Sequence, residues 1–203
     1  MCGIVGYIGA RDATPIILNG LKRLEYRGYD SAGVAVINGD QLEVRKDAGK
    51  LSQLIDLVEK SPIAGAPGVG HTRWATHGAP NARNAHPHLG QTKRVVVVQN
   101  GIVENFLELK DELTAEGVEF QSETDTETIV HLVEHYLATG IGLVEAARKT
   151  FKDIQGANVV VLMSADEPDK IVTARIGNAG GVVIGMGEGE NFIASDIPAI
   201  MEH

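Results

Sequence analysis

The amino-acid sequence predicts an α+β protein of layered sheets, and three observations carry that prediction. Strand-like segments dominate both ends of the chain, helical patterns cluster mainly between them, and Asn38-Gly39 joins two early strands as a hairpin. A doubly wound parallel sheet would alternate strand and helix throughout. At 203 residues, with 43% hydrophobic and 22% charged residues, the chain has the composition of an ordinary globular domain.

Ile4–Ile8 forms a short apolar first strand. Thr14-Pro15 opens a helix with Pro15 at its first position, where the missing N–H costs nothing; Ile17, Leu21 and Leu24 carry its apolar face, and it stops before Gly28. Ala32–Ile37 and Gln41–Arg45 flank Asn38-Gly39, both of which tolerate positive φ. Leu51–Val58 has helical periodicity, and Val69–His71 and Val95–Gln99 are strands separated by a long polar span. A span of that length within a compact domain is usually functional or disordered. Asn105 with Glu108, and Thr124 with Glu127, have capping-box spacing and start helices to about Glu116 and Leu137, the first with Phe106, Leu109 and Leu113 inward. Ala157–Ser164, Lys170–Ala174, Val182–Ile184 and Asn191–Ala194 return to strand patterns.

The formal net charge is −9, and residues 104–134 hold ten acids against one base, Lys110. No basic patch exists to displace counterions from nucleic acid, so nucleic-acid binding and attachment to an anionic membrane are not expected. No apolar run approaches the ~20 residues that cross a bilayer, and the N-terminus has no signal-peptide pattern. A single cysteine excludes an internal disulfide and a multi-thiolate zinc site, and the cytoplasm is the expected compartment.

That cysteine is Cys2, followed by Gly3. Removal of Met1 would give one residue both a thiol and an α-amine of pKa about 8, a nucleophile with its own base; a lone cysteine can equally be a small buried hydrophobe. In GHTRWATHG (70–78), Arg73 offers a planar fork for a carboxylate or else a surface salt bridge, and Trp74 a wall for a small site or else packing. Asn100-Gly101 ends an apolar strand as a simple turn, or as a side-chain amide and backbone N–H facing a developing oxyanion. Asp125 is a first-turn acid favoured by the helix dipole, or a carboxylate that captures an ammonium. His131, Glu134 and His135 match H-x-x-E-H, but apolar neighbours make them readable as the polar side of a helix, and no metal is expected. The glycines of GMGEG (185–189) do not fit a dinucleotide fingerprint.

Seven segments in order, MCGIVGYIG (1–9), RLEYRGYDSAG (23–33), GHTRWATHG (70–78), NAHPH (84–88), NGIVEN (100–105), SETDTE (122–127) and GENFIASD (189–196), together resemble the glutaminase domain of class II glutamine amidotransferases. The wording of the second and third is similar to the branch that converts fructose-6-phosphate to glucosamine-6-phosphate. The resemblance implies a four-layer αββα sandwich of the N-terminal-nucleophile hydrolase type and an enzyme that hydrolyses L-glutamine to glutamate and ammonia through a γ-glutamyl thioester. It implies Cys2 as nucleophile with its α-amine as base, and Asn100 and Gly101 as oxyanion hole. Arg73 would take the substrate α-carboxylate and Asp125 its α-ammonium. Trp74, Thr76 and His77 would lie in a loop over the substrate, with Arg27 near the nucleophile. No cofactor is implied.

By the same resemblance, residues 1–203 are a glutaminase domain truncated at its C-terminal end. The partner implied is a missing C-terminal sugar-phosphate isomerase domain of the same polypeptide, the full-length protein being a homodimer and the fragment a monomer. Another class II amidotransferase, or a folded but silent domain retaining Met1, are the alternatives. Two departures stand out: Gln99 where such proteins usually carry His, which bears on strand support more than chemistry, and GNAGGV (177–182), for whose extra glycines the sequence offers no reason.

Overall fold

A computed structural model describes residues 2–203. Met1, and with it the α-amine its removal would expose, lies outside the described residues. Ten strands form two antiparallel sheets. The first, in the order β3-β2-β4-β1-β10-β9, is built from β1 (Gly3–Ile8), β2 (Ser31–Asn38), β3 (Gln41–Ala48), β4 (Gly68–Arg73), β9 (Val183–Gly187) and β10 (Glu190–Ala194). The second, in the order β5-β6-β7-β8, comprises β5 (His88–Leu89), β6 (Val95–Gly101), β7 (Asn158–Ser164) and β8 (Ile171–Ile176).

The period-2 alternation of strand side chains explains why the sheets stack. Ile4, Ala35, Ile37, Val69 and Ile193 of the first sheet meet Val96, Val98, Val159, Val161 and Met163 of the second in one buried layer. Their alternate neighbours turn outward to helices. Val5, Tyr7, Val34, Val36 and Phe192 pack on α1 (Ala13–Arg23) and α2 (Leu51–Lys60). Val95, Val97, Val160 and Leu162 pack on α3 (Phe106–Ala115), α4 (Thr126–Leu137) and α5 (Leu143–Asp153). The result is helix, sheet, sheet, helix: the four-layer αββα sandwich. Both central strands β6 and β7 are buried on two faces, which is why they read as unbroken valine runs. Gly70 lets α1 close on its sheet, since a Cβ there would sit 2.3 Å from Ile17 Cγ2. Among the described residues no helix is long and apolar enough to cross a membrane.

Several local expectations need correction. The first helix starts at Ala13, with Asp12 accepting from the Thr14 N–H, so Pro15 is its third residue; the first four N–H groups lack intrahelical partners, and proline is still tolerated there. Neither capping box forms. The Asn105 amide instead bridges Asp153 O and the Gln155 N–H, and Glu127 accepts from the Gln121 and Ser122 N–H groups. Helix α5 was not expected: it follows Gly142 with no side-chain cap, and only Leu143, Ala146, Ala147 and Thr150 are buried on it.

Candidate active site

The two sheets deliver their strand ends to one place. Cys2 immediately precedes β1, and Gly3 pairs with Thr72 of β4, which sets Cys2 beside Arg73 and Trp74. The Cys2 thiol donates to Trp74 O at 3.6 Å, and its Sγ accepts from the Trp74 N–H at 3.2 Å. From the second sheet, β6 ends on Asn100-Gly101, and Asn100 Nδ2 donates to Cys2 O at 3.0 Å. Arg27 Nε donates to the same carbonyl at 3.1 Å, while its Nη1 pairs with Asp196 at 3.0 Å. One backbone carbonyl thus ties the nucleophile candidate, at the start of the first sheet, to the end of β6 in the second and to Arg27.

Gly101 has φ +141° at the strand end, and a Cβ on it would lie 2.1 Å from Ala157 O and 2.8 Å from Asn158 Oδ1. Only glycine passes over β7 there, so Asn100-Gly101 is more than a polar turn.

Beside these residues lies a cavity of about 380 Å³, whose walls include Cys2, Arg27, Arg73, Trp74, Thr76, Asn100, Gly101 and Asp125. Arg73 is not on a surface salt bridge: it is buried, and among the described residues its guanidinium donates only to backbone carbonyls, those of Ala79 (3.4 Å), Gly78 (3.4 Å) and His77. Burial pulls its pKa down from the usual value, against the nearby Asp30, Cys2 and Asp125. Asp125 is also buried, at the start of α4; its Oδ2 accepts from the Val103 N–H at 2.8 Å, and burial pushes its pKa up. Among the described residues neither Arg73 nor Asp125 forms an ion pair, although both face one cavity. Burial likewise pushes the Cys2 thiol up, opposed by the Trp74 N–H, so a base within reach of the thiol is needed to make it a nucleophile.

Trp74 is half exposed and meets Tyr29 edge-on at 5.5 Å, so it is not core packing. Thr76 is exposed on the cavity rim. His77 does not line the cavity; its carbonyl serves Arg73, and its ring lies 5.5 Å from that of Phe106.

Sequence reasoning missed part of the wall. His86, Gln99, Ile102, Thr124 and Thr126 contribute to it, as do Ala179 and Gly180. The glycine-rich 177–182 segment is therefore a wall of the cavity, with Ala179 O and Gly180 O accepting from Arg175 Nε. Gln99 is buried; it donates to Asn158 at 2.6 Å and accepts from Thr126 Oγ1 at 2.8 Å, joining β6, β7 and the start of α4.

The H-x-x-E-H residues are otherwise engaged. His131 sits between Glu127 (3.4 Å) and Glu134 (3.6 Å), whereas His135 turns to Glu116 at 2.8 Å. Among the described residues no group of three or more His, Cys, Asp or Glu could hold a metal ion.

A thiol, a carboxamide, a buried cation and a buried carboxylate line one small cavity in a four-layer αββα sandwich, the class of architecture to which the comparisons also point. The chain belongs to the glutamine amidotransferase domain family, whose model matches residues 71–202. It is similar, at 52% identity over its whole length, to glutamine–fructose-6-phosphate aminotransferase (isomerizing) of Caldanaerobacter subterraneus subsp. tengcongensis, and at 53% to that of Thermus thermophilus. In both cases the chain spans 33% of the relative's length. Its fold is similar to that of glutamine phosphoribosylpyrophosphate amidotransferase from B. subtilis, with a TM-score of 0.85 and 26% identity over 98% of this chain and 43% of that one.

Proposed function

We propose that this domain hydrolyses the side-chain amide of L-glutamine, with Cys2 as nucleophile. The observation that carries the reading is the pair of unpaired, buried, opposite charges, Arg73 and Asp125, facing the cavity that also holds Cys2. They match the α-carboxylate and α-ammonium of a free amino acid, and leave its side chain to reach the thiol. With Met1 removed, the Cys2 α-amine takes the thiol proton and the thiolate attacks the substrate Cδ. The resulting oxyanion meets Asn100 Nδ2–H and the Gly101 N–H. Collapse breaks the C–N bond, the α-ammonium returns its proton to the leaving nitrogen, and ammonia departs from a γ-glutamyl thioester. Water, deprotonated by the same amine, then releases glutamate. Trp74 and Thr76 cover the substrate, and the loop that carries His77 is held in place by Arg73.

Because the chain spans a third of its relatives, the ammonia is proposed to serve a C-terminal domain that converts fructose-6-phosphate to glucosamine-6-phosphate, in a cytoplasmic homodimer. The test is glutamate release from L-glutamine by protein whose N-terminus is checked by intact mass. Release by the des-Met1 protein that falls by ~10³-fold or more in Cys2→Ala is expected; equal release by that variant overturns the assignment.

A further inference from the structure

At the cavity wall three buried imidazoles lie in a row, His71 tilted against His86 at 4.2 Å and His86 edge-on to His88 at 4.8 Å between ring centroids. His71 is the one that reaches the reacting end. Its Nε2 lies 3.1 Å from Gln99 O and 3.0 Å from Asn100 Oδ1.

A backbone carbonyl can only accept, so Gln99 O requires Nε2 of His71 to carry the proton. The Asn100 atom facing that N–H must then be its oxygen, which turns Nδ2 toward Cys2 O, as observed at 3.0 Å. A carboxamide nitrogen has two protons: one serves Cys2 O, and the other is left for the cavity that Asn100 lines. Flipping the amide would set Oδ1 against Cys2 O, acceptor on acceptor, and an N–H against an N–H. We propose that His71 is a positioning residue for amide hydrolysis, its Nε2–H holding the Asn100 carboxamide in the orientation that presents Nδ2 to Cys2 and to the substrate oxygen.

Two further features fit this role. Burial, together with the Arg73 charge, brings the His71 pKa down to about 4 in spite of its bonds to Asn100 and Gln99, so the ring stays neutral through the physiological range. Its Nδ1 is buried without a hydrogen-bond partner among the described residues, so Nε2 carries all the ring's hydrogen bonding.

The effect on turnover rests on the glutaminase reading above, and the experiment separates the two. His71→Leu is expected to lower kcat for glutamine by about 30-fold with KM within threefold, part of the cost of losing an oxyanion donor. His71→Gln, whose amide nitrogen reaches the Nε2 position, is expected to recover most of the loss. In an Asn100→Ala background, His71→Leu is expected to cost nothing further. The Asn100 side-chain amide protons, followed by ¹⁵N-resolved NMR, should be protected from exchange in the parent and in His71→Gln, and lose that protection in His71→Leu. Should His71→Leu not fold, His71→Asn, too short to reach, takes its place. An undiminished cost in the Asn100→Ala background, or unchanged Asn100 protection, overturns the proposal. If the parent releases no glutamate, the glutaminase reading fails, and the exchange measurement still decides the role of His71.

Discussion

One cluster of buried charge lies along α4 and another lines the cavity beside that helix's first turn, and they are opposites. Around His131 every charge is answered. Glu127 accepts from the Gln121 N–H, the Ser122 N–H and the Ser122 hydroxyl at 2.6–2.7 Å, and Glu134 from the Gln91 and Thr92 N–H groups and the Thr92 hydroxyl at 2.5–3.1 Å. Although burial alone would raise it, these donors and His131 hold Glu127 at about 2, and the two carboxylates lift His131 above its ordinary value against the same burial penalty. Around Arg73 and Asp125 the charges are buried but not joined, and among the described residues their hydrogen bonds run to backbone groups. A closed cluster holds a loop to a helix; an open one keeps its electrostatic complement for something that arrives. The contrast separates structural from functional ionisable groups better than residue type does, since both clusters lie in motif-like segments.

The contrast can be broken most sharply at His131. Replacing it with Leu removes the imidazole between two buried carboxylates and is expected to destabilise the fold by about 4 kcal/mol in urea unfolding, while KM for glutamine stays within twofold. Arg73→Lys should do the reverse: about 30-fold in KM through the lost fork, with Tm within about 2 °C of the parent. A larger stability loss at Arg73 than at His131 would invert the assignment of the two clusters. Asp125→Asn keeps an acceptor for the Val103 N–H and removes the charge, so about tenfold in KM is expected.

The smallest expected effect is on pH. His131 has a raised pKa, so its contribution is fully present below the ordinary imidazole value and is lost as pH rises through the raised one. Glu127 has a lowered pKa, so its contribution is present above the ordinary carboxylate value and is lost as pH falls toward 2. A plot of Tm against pH should therefore fall on both sides of a plateau at about pH 4.5–6.5, and His131→Leu should lose the alkaline fall.

Much of this is legible in the amino-acid sequence, and the reason differs by element. The hairpin at Asn38-Gly39 and the valine runs of β6 and β7 were readable because backbone sterics and two-sided burial write themselves locally. Cys2, Arg73, Asn100 and Asp125, which line one cavity, were readable as candidates because each sits near an element end, inside a segment shared with a known family. The capping boxes failed because spacing reports what Asn105 and Glu127 can reach along the helix, not what the remote backbone at 153–155 or the loop at 121–122 offers them. Helix α5 escaped because its buried stripe is mostly alanine and threonine. Ala179 and Gly180 escaped because a wall of small residues has no chemistry to announce, only a location.

The hydrogen bond from Asn100 Nδ2 to Cys2 O spans the seam between the two sheets. The thiol is anchored to one slab and the amide to the other, so the distance between them is also a measure of how tightly the slabs are pressed together. Any loosening of the valine and isoleucine layer between them, by heat, denaturant or a cavity at Val161, would separate the reacting groups before either slab frays. Loss of turnover should then run several degrees ahead of the melting of the sheets, making the enzyme a strain gauge for its own interior.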